Sequence, residues 1–525
     1  MKWILPVCLM ISVVSQSQEV YDSLAVKYAE TITAEELQNH LMILASDEYE
    51  GRETGMKGQK IAAEYIENYF KELGVPPCFN GGYQQPYPLK RSSNSKSEWI
   101  INRNELEYIK DFYFFPGFDL NELKSEEIVV VGYGIQSSNW NDYEGLDVED
   151  KVVLAIPDEP FLNDSTTVLG GVNQSSEWSS DFRVKRKAAM DQGAKALIMV
   201  NEDYDNYVGR IRYFLENPNM RLDMEREERE EVLPVIFIKP DLADKLIKKT
   251  KLKSIAKAKR KMNKKQHSIT GTASCSMTFK MNKVTENFTG ENVLCFIEGS
   301  DAELKEEIVV VTAHYDHIGM KDGEVNNGAD DDGSGTVTAL EISEAFMYAK
   351  KDGNGPRRSV LVMTVSGEEK GLLGSEWYAA HPVFPLENTV VDLNVDMIGR
   401  VDEAHKGDSN YIYLIGSDKL SSSLHQISEW CNETYSKIAL DYTYNDPNDP
   451  NRFYYRSDHY NFAKHDIPVI FYFSGVHEDY HRPTDTPDKI LYDKTANVAK
   501  LIFHTAWQLA NRDDRIQVDI KNDFE

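Results

Sequence analysis

The chain has 525 residues, a length that suggests two to four domains rather than one core. Hydrophobic residues make up 41% and charged residues 27%, as is typical of folded globular proteins. With 86 acidic against 58 basic side chains, the formal net charge is -28, which argues against nucleic acid or an anionic membrane surface as a partner. The same acidity favours cationic partners, including metal ions.

The first 17 residues predict a secretory signal peptide. Lys2 precedes an apolar run from Trp3 to Val14, and Ser15 and Ser17 have the spacing of a cleavage site. The run is too short to cross a bilayer, and no later run approaches the ~20 apolar residues that a membrane helix needs. We therefore expect an exported protein without a membrane span, periplasmic or extracellular. Its oligomeric state is not indicated.

Four cysteines remain after the predicted cleavage, and they are too few and too scattered to indicate a disulfide scaffold or a cysteine zinc site. Their pairing cannot be deduced from the sequence. They are Cys78, Cys275, Cys295 and Cys431.

Residues 18–116 begin with helices, the first of which opens on a capping box formed by Thr33 and Glu36. From 117 to 266 short apolar runs alternate with helical patterns, which predicts a separate β-rich α/β insert. The basic run "KLIKKTKLKSIAKAKRKMNKK" within it favours two solvated helices, with a membrane-binding or anion-binding patch as the alternative.

Residues 267–525 alternate strands and helices regularly. "EEIVVVTAH", "RSVLVMTVSGEE", "VVDLNVDMIG", "YIYLIG" and "DIPVIFYFSG" are strand candidates, and several are apolar throughout, as expected of strands covered on both faces. The predicted fold class is α/β, with a mixed, mostly parallel sheet sandwiched by helices. In such sheets ligands bind beyond the carboxyl ends of the strands.

Polar residues stand at those strand ends and in the aspartate loop "NNGADDDGSG". Two imidazoles and three carboxylates at one edge suit zinc, and an odd carboxylate can bridge two ions. Asp331, in the middle of the aspartate run, is best placed to bridge. The five candidate ligands are His314, Asp331, Glu369, Asp396 and His481.

Each of these signals has an ordinary explanation when it is taken alone. Aspartates and glutamates often cap helices, and His-x-Asp often lies in a surface turn. Asp316 could hold the second ring nitrogen of His314 or orient another group. His317 and His477 are rival ligands, although a surface or outer-layer role is favoured for both. Glu368 could act as a base beside Glu369.

Several blocks together resemble the metal-binding blocks of the di-zinc aminopeptidases. This family of secreted zinc exopeptidases also includes glutamate carboxypeptidase and the inactive transferrin receptors. The resemblance extends to "ILASDEYEGRETGMKGQKIAAEYI" and "YRSDHYNFAKHDIPVIFY", and the insert resembles a protease-associated domain. The metal-binding blocks are "AHYDHIG", "NNGADDDGSG", "SGEEKGLLGS", "NVDMIG" and "YHRPTDTPDKI".

The resemblance implies two zinc ions. His314 and Asp396 would bind one, Glu369 and His481 the other, and Asp331 would bridge them, with a non-proline cis peptide after Asp331. No ligand position departs from the family pattern, which argues against an inactive relative.

The resemblance also implies the catalytic roles. Glu368 would be the general base for a water activated by the two zinc ions, and Asp316 would lie behind His314. Tyr480 could donate to the oxyanion or could be a packing residue.

Peptides are the expected substrates, and "RSDH" at 456–459 resembles the aminopeptidase branch. The alternatives are a carboxypeptidase or dipeptidase on the same metal site, and a peptide-binding relative without turnover. A glutaminyl cyclase relative, which would work with one zinc, is less favoured.

Overall fold

A computed structural model describes residues 19–93, 96–115, 118, 120–216, 220–224, 232–282, 284–321 and 323–522. The predicted signal peptide, residues 1–17, lies outside these residues. Within them, no helix combines the length and the apolar character needed to cross a bilayer. The chain divides into two compact units, Met1–Leu89 with Phe288–Glu525, and Lys90–Asn287.

The first unit is built on one mixed sheet. Its four central strands run parallel, and antiparallel pairs flank them on both sides. The predicted mixed, mostly parallel sheet is thus confirmed. In spatial order the strands of this unit are Gln84–Ser93, Val284–Ile297, Ser359–Val365, Ile308–His314, Thr389–Val395, Val469–Phe473, Tyr411–Ile415 and Ala439–Asp441. A separate hairpin pairs Met320–Lys321 with Glu324–Val325.

Helices cover both faces of this sheet because the central strands are apolar on both sides. Val309 and Val311 belong to one buried cluster, whereas Ile308 and Val310 belong to the other. Thr33 caps its helix as predicted, since its hydroxyl accepts from the backbone N–H of Glu36 at 3.2 Å, and the same hydroxyl donates to Glu36 Oε2 at 2.8 Å. The helices are Ser23–Ala29, Ala34–Leu44, Lys57–Glu72, Gly335–Lys351, Leu373–Ala380, Ser422–Cys431, His459–Ala463 and Tyr492–Asn511.

One polar cluster is buried between three of these helices. Glu341, on Gly335–Lys351, has only 1% of its side chain exposed, and neither carboxyl oxygen finds a hydrogen-bond partner among the described residues. His40 Nε2 lies 3.5 Å from Glu341 Oε1, and His40 Nδ1 lies 2.7 Å from the hydroxyl of Tyr65. Burial, with Glu36 and Glu344 nearby, raises the pKa of Glu341 to about 9.

The second unit carries its own sheet, whose core strands are parallel and buried. In spatial order its strands are Asn104–Leu106, Glu98–Ile101, Gly271–Lys280, Glu122–Val130, Val152–Ala155, Ala196–Val200, Val235–Ile238 and Phe112–Tyr113. Shorter strands are Phe161–Asn163, Thr166–Thr167, Gly171–Val172 and Met220–Leu222, and the helices are Glu177–Ser180, Phe182–Asp191, Tyr204–Glu216, Pro240–Ile247 and Ile255–Lys265.

This unit is wider than the predicted insert of 117–266. The difference arises because Gly271–Lys280 pairs with both Glu98–Ile101 and Glu122–Val130, so that strands before 117 and after 266 join the same sheet. The basic run, residues 245–265, covers the end of the helix Pro240–Ile247 and the whole of Ile255–Lys265. These helices bury alanine, leucine, isoleucine and methionine and leave most lysines exposed.

Candidate metal centre

The carboxyl ends of the parallel strands bring the predicted ligands to one edge of the sheet. His314 is the last residue of Ile308–His314, and Asp396 directly follows Thr389–Val395. Glu369 follows Ser359–Val365, and Asp331 lies in the loop before Gly335–Lys351. These positions follow from strand direction, since parallel strands end at the same edge.

One group of potential ligands forms around His314. Its Nε2 lies 3.4 Å from Asp331 Oδ1 and 3.6 Å from Asp396 Oδ1. One ligand atom from each of the three residues lies within 4.8 Å of the others, so the group could hold a metal ion.

A second group uses the other oxygen of Asp331. His481 Nε2 lies 3.0 Å from Asp331 Oδ2 and 3.2 Å from Glu369 Oε2. His317 joins this group, with Nδ1 2.8 Å from Glu369 Oε1. The two oxygens of Asp331 therefore face different groups, as a bridging carboxylate requires. Of the surface or outer-layer role favoured for His317, the surface position is excluded, because its side chain is fully buried.

The buried atoms of both groups fit divalent cations. His314 Nε2, Asp331 Oδ2 and Glu369 Oε1 are buried and find no hydrogen-bond partner in the described parts of the chain. Leaving such groups buried and unpaired costs about 1–3 kcal/mol each, and more when they are charged. Imidazole nitrogen and carboxylate oxygen are the donors that zinc prefers outside cysteine sites. Bound cations would satisfy these atoms.

The three adjacent aspartates of the loop have different partners. Asp330 Oδ1 accepts the backbone N–H of Gly399 at 2.6 Å, and Asp332 Oδ1 accepts that of Met397 at 3.0 Å. Only Asp331 faces both ligand groups. The peptide bond between Asp331 and Asp332 is cis, which confirms the expectation from the resemblance.

Asp316 lies behind His314 at the base of the site. Its Oδ1 is 3.7 Å from His314 Nδ1, and its carbonyl oxygen is 3.1 Å from the same nitrogen. Asp316 also accepts the hydroxyl of Thr54 at 2.6 Å and the backbone N–H of Glu368 at 3.3 Å. Asp316 thus contacts both His314 and Glu368, the residue predicted to be the general base.

Glu368 and Tyr480 face the same cavity as the two groups. Glu368 Oε2 lies 3.9 Å from His314 Nε2, and burial raises the pKa of Glu368 well above its usual value. The Tyr480 ring stacks on His481 with centroids 3.8 Å apart. Burial raises the pKa of Tyr480, so its hydroxyl keeps its proton and can donate. The cavity is lined by Asp331, Glu368, Asp396, Met397, Phe453, Arg456, Phe471, Phe473, Val476 and Tyr480.

Several residues that hold the ligands were not predicted from the sequence. The fully buried Arg52 donates to the carbonyl oxygens of Asn327 at 2.6 Å and Gly328 at 2.8 Å, which precede the three aspartates within the aspartate loop. The Ser457 hydroxyl donates to Asp396 Oδ2 at 2.7 Å. Both lie in blocks that carry the resemblance, "EGRETG" and "RSDH", which was the available signal.

Two further buried residues, Asp485 and His477, contact the aspartate loop. Asp485 Oδ2 accepts the backbone N–H groups of Asp330 at 3.0 Å and Asp331 at 3.2 Å. His477 is buried, with Nε2 3.2 Å from Asp330 Oδ2. His477 therefore contacts the loop from outside the two ligand groups, and a surface position is excluded.

Comparison with protein families gives one match over the metal-binding half. Residues 292–506 match the model described as Peptidase family M28, a segment that contains all five predicted ligands as well as Glu368 and Tyr480.

Two curated relatives share this part of the chain. The probable leucine aminopeptidase of Arthroderma otae is 31% identical over 238 residues, which cover 44% of this chain and 61% of that protein. The vacuolar membrane protease of Phaeosphaeria nodorum is 30% identical over 168 residues, covering 29% of this chain and 16% of that protein. The matched region therefore spans less than two thirds of either relative.

A solved structure matches nearly the whole chain. The aminopeptidase from Aneurinibacillus sp. strain AM-1 aligns with 95% of this chain and 98% of its own, with a TM-score of 0.54 and 19% identity. At that identity the likeness shows a shared fold.

Proposed function

We propose that this chain is a member of peptidase family M28 and an exported zinc-dependent aminopeptidase that releases single residues from the N-termini of peptides. The observation that carries the proposal is the pair of ligand groups that share Asp331 and face a cavity containing Glu368.

Two zinc ions are the proposed cofactor. His314, Asp331 and Asp396 would hold one, and Asp331, Glu369 and His481 would hold the other. When bound, the ions would supply Lewis acidity to the scissile carbonyl group and lower the pKa of a water molecule. The buried, unpartnered ligand atoms support this assignment.

Glu368 is proposed to move the proton. Its carboxylate accepts a proton from the attacking water as the new C–O bond forms, and it returns the proton to the amine as the C–N bond breaks. The Asp316 carboxylate holds the backbone N–H of Glu368 and so fixes the start of that side chain. The Tyr480 hydroxyl is proposed to donate to the oxygen that gains negative charge.

The residues that line the cavity suggest which N-terminal residue of a peptide is preferred. Beside the carboxylates, which suit the ammonium group of a free N-terminus, the cavity is bounded by Met397, Phe453, Phe471, Phe473 and Val476. Such a surface favours an apolar side chain, with about 0.8 kcal/mol for each buried methylene. We therefore propose a preference for apolar N-terminal residues.

One observation favours a second candidate, a carboxypeptidase or dipeptidase. Arg456 lines the same cavity and is exposed, with its guanidinium 4.9 Å from the centre of the Phe453 ring. A cation at this position would suit the C-terminal carboxylate of a short substrate.

Mass spectrometry of three matched peptides tests these candidates. One peptide is unmodified, one is N-acetylated and one is C-amidated, and each is incubated with the zinc-loaded mature protein. An aminopeptidase shortens the unmodified and amidated peptides from the N-terminus and leaves the acetylated one intact. Loss of C-terminal residues from the acetylated peptide would support the carboxypeptidase instead. If no peptide changes, the chain is a binding protein. The matched control is Glu368→Gln.

Two further parts of the proposal concern the rest of the chain. The unit Lys90–Asn287 is continuous in sequence and lies between the two segments of the other unit, which supports its assignment as a protease-associated domain. Export by the segment 1–17 predicts a mature N-terminus at Gln18, which N-terminal sequencing of the secreted protein would test.

A further inference from the structure

His317 lies three residues after His314, and its ring has a fixed position. Its backbone N–H donates to the carbonyl oxygen of Arg52 at 3.2 Å, and the side chain is fully buried. The ring packs against Gly328, where an added Cβ would lie 2.5 Å from His317 Cγ. Since Gly328 also has a φ of +55°, only glycine fits here, and the ring cannot turn away on that side.

The ring nitrogen Nδ1 points at the second ligand group. It lies 2.8 Å from Glu369 Oε1 and 3.7 Å from Asp331 Oδ2. Despite the short distance, neither Nδ1 nor Glu369 Oε1 is in a hydrogen bond with a described residue, and Asp331 Oδ2 is likewise unpartnered. One ligand atom each from His317, Asp331 and Glu369 lies within 4.8 Å of the others, so these three buried, unpartnered atoms could share a cation.

We propose that His317 is a fourth protein ligand of the second zinc ion, through Nδ1, beside Asp331, Glu369 and His481. The inference rests on the two-metal centre of the proposed function and adds a ligand to it. Zinc bonds of 2.0–2.2 Å in a tetrahedron place ligand atoms about 3.3–3.6 Å apart. The observed separations of 2.8 and 3.7 Å lie on either side of that spacing.

The two ions are then inequivalent. The first is held by three protein ligands and keeps an open position, which is what a catalytic zinc needs. Glu368 lies on that side, 3.9 Å from His314 Nε2. The second would have four protein ligands, and it would meet the water only by expanding to five-coordinate. It is expected to bind more tightly and to resist chelators longer than the first.

Zinc binding by variants tests the proposal without reference to turnover. Wild type, His317→Ala, His317→Asn and the exposed control His465→Ala are dialysed against buffers of fixed free zinc, and zinc per chain is measured by elemental mass spectrometry. We expect two ions in the wild type and in His465→Ala. In His317→Ala the second ion should weaken more than about 100-fold, beyond the 10–100-fold typical of residues outside the ligand shell.

The variant His317→Asn separates a ligand from a hydrogen-bond donor. The asparagine side chain would place an N–H close to the position of Nδ1 but would lack the imidazole lone pair, so His317→Asn should behave like His317→Ala. Recovery of wild-type affinity in His317→Asn would overturn the inference, as would two tightly bound ions in His317→Ala.

A measurement on the wild type covers the case in which the variants do not fold. A crystal structure of the zinc-loaded protein, with the ions located by anomalous scattering, should place His317 Nδ1 about 2.1 Å from the second ion. A separation beyond about 3 Å would exclude ligation. Fewer than two ions in the wild type would instead overturn the two-metal centre itself, and with it the proposed function.

Discussion

Replacement of Glu341 by glutamine should stabilise the protein, and the gain should grow with pH. In the fold the carboxyl group has a pKa of about 9, whereas its ordinary value is 4.5. At neutral pH the group is therefore protonated in the folded chain and ionised in the unfolded chain. Each pH unit between the two values costs 1.36 kcal/mol of folding free energy. At pH 7 the penalty is about 3 kcal/mol, and an isosteric amide removes it.

The pH dependence of the free energy of unfolding tests this reasoning. Because the folded pKa is raised, the contribution of Glu341 to the free energy of unfolding should fall as pH increases from 4.5 to 9. Glu341→Gln should match the wild type near pH 4.5 and exceed it by about 3 kcal/mol at pH 7. Urea unfolding of the metal-free protein, followed for the transition of this unit, measures the difference, with the exposed Glu433→Gln as control. A pH-independent difference, or a destabilised variant, would refute the reasoning.

Three further predictions concern the metal centre. Glu368→Gln should keep both zinc ions and lose about 10²–10⁴ in kcat, measured with elemental analysis beside peptide hydrolysis; full activity would remove it as the base. Arg52→Lys cannot reproduce the planar fork that reaches Asn327 and Gly328, so zinc affinity should fall about 10–100-fold in equilibrium dialysis. Removal of zinc by a chelator should lower Tm, because zinc at 100 times its Kd adds about 2.7 kcal/mol to the free energy of unfolding. An unchanged Tm would contradict binding of zinc to the folded state.

Most of the main sheet could be predicted because its strands are short, continuous apolar runs. Ile308–His314 and Ser359–Val365 are buried at every position, so no polar alternation obscured them. The edge strands of the other unit were harder. Glu98–Ile101 is only half buried, and its partner Gly271–Lys280 lies far along the chain. Local pattern does not report such pairings, which is why the predicted insert was narrower than the observed unit.

The candidate ligands could be predicted from residue type and strand direction, but their contacts could not. Sequence spacing does not distinguish His317 from His481, since both follow strands that end at the same edge. The role of Arg52 depends on hydrogen bonds from its guanidinium to backbone carbonyl oxygens. Every residue has a carbonyl group, so the sequence does not indicate which ones accept such bonds. Side-chain ligands are therefore easier to predict than the groups that position them.

The contact between Arg52 and the loop has a consequence for biosynthesis. Arg52 and Asn327 are 275 positions apart, and the whole Lys90–Asn287 unit emerges from the ribosome between them. That unit is continuous in sequence and can form its sheet before the later part of the other unit has been synthesised. Contacts of such high sequence separation form late because loop closure opposes them. A nascent chain therefore cannot complete the proposed metal centre before His481 has been synthesised.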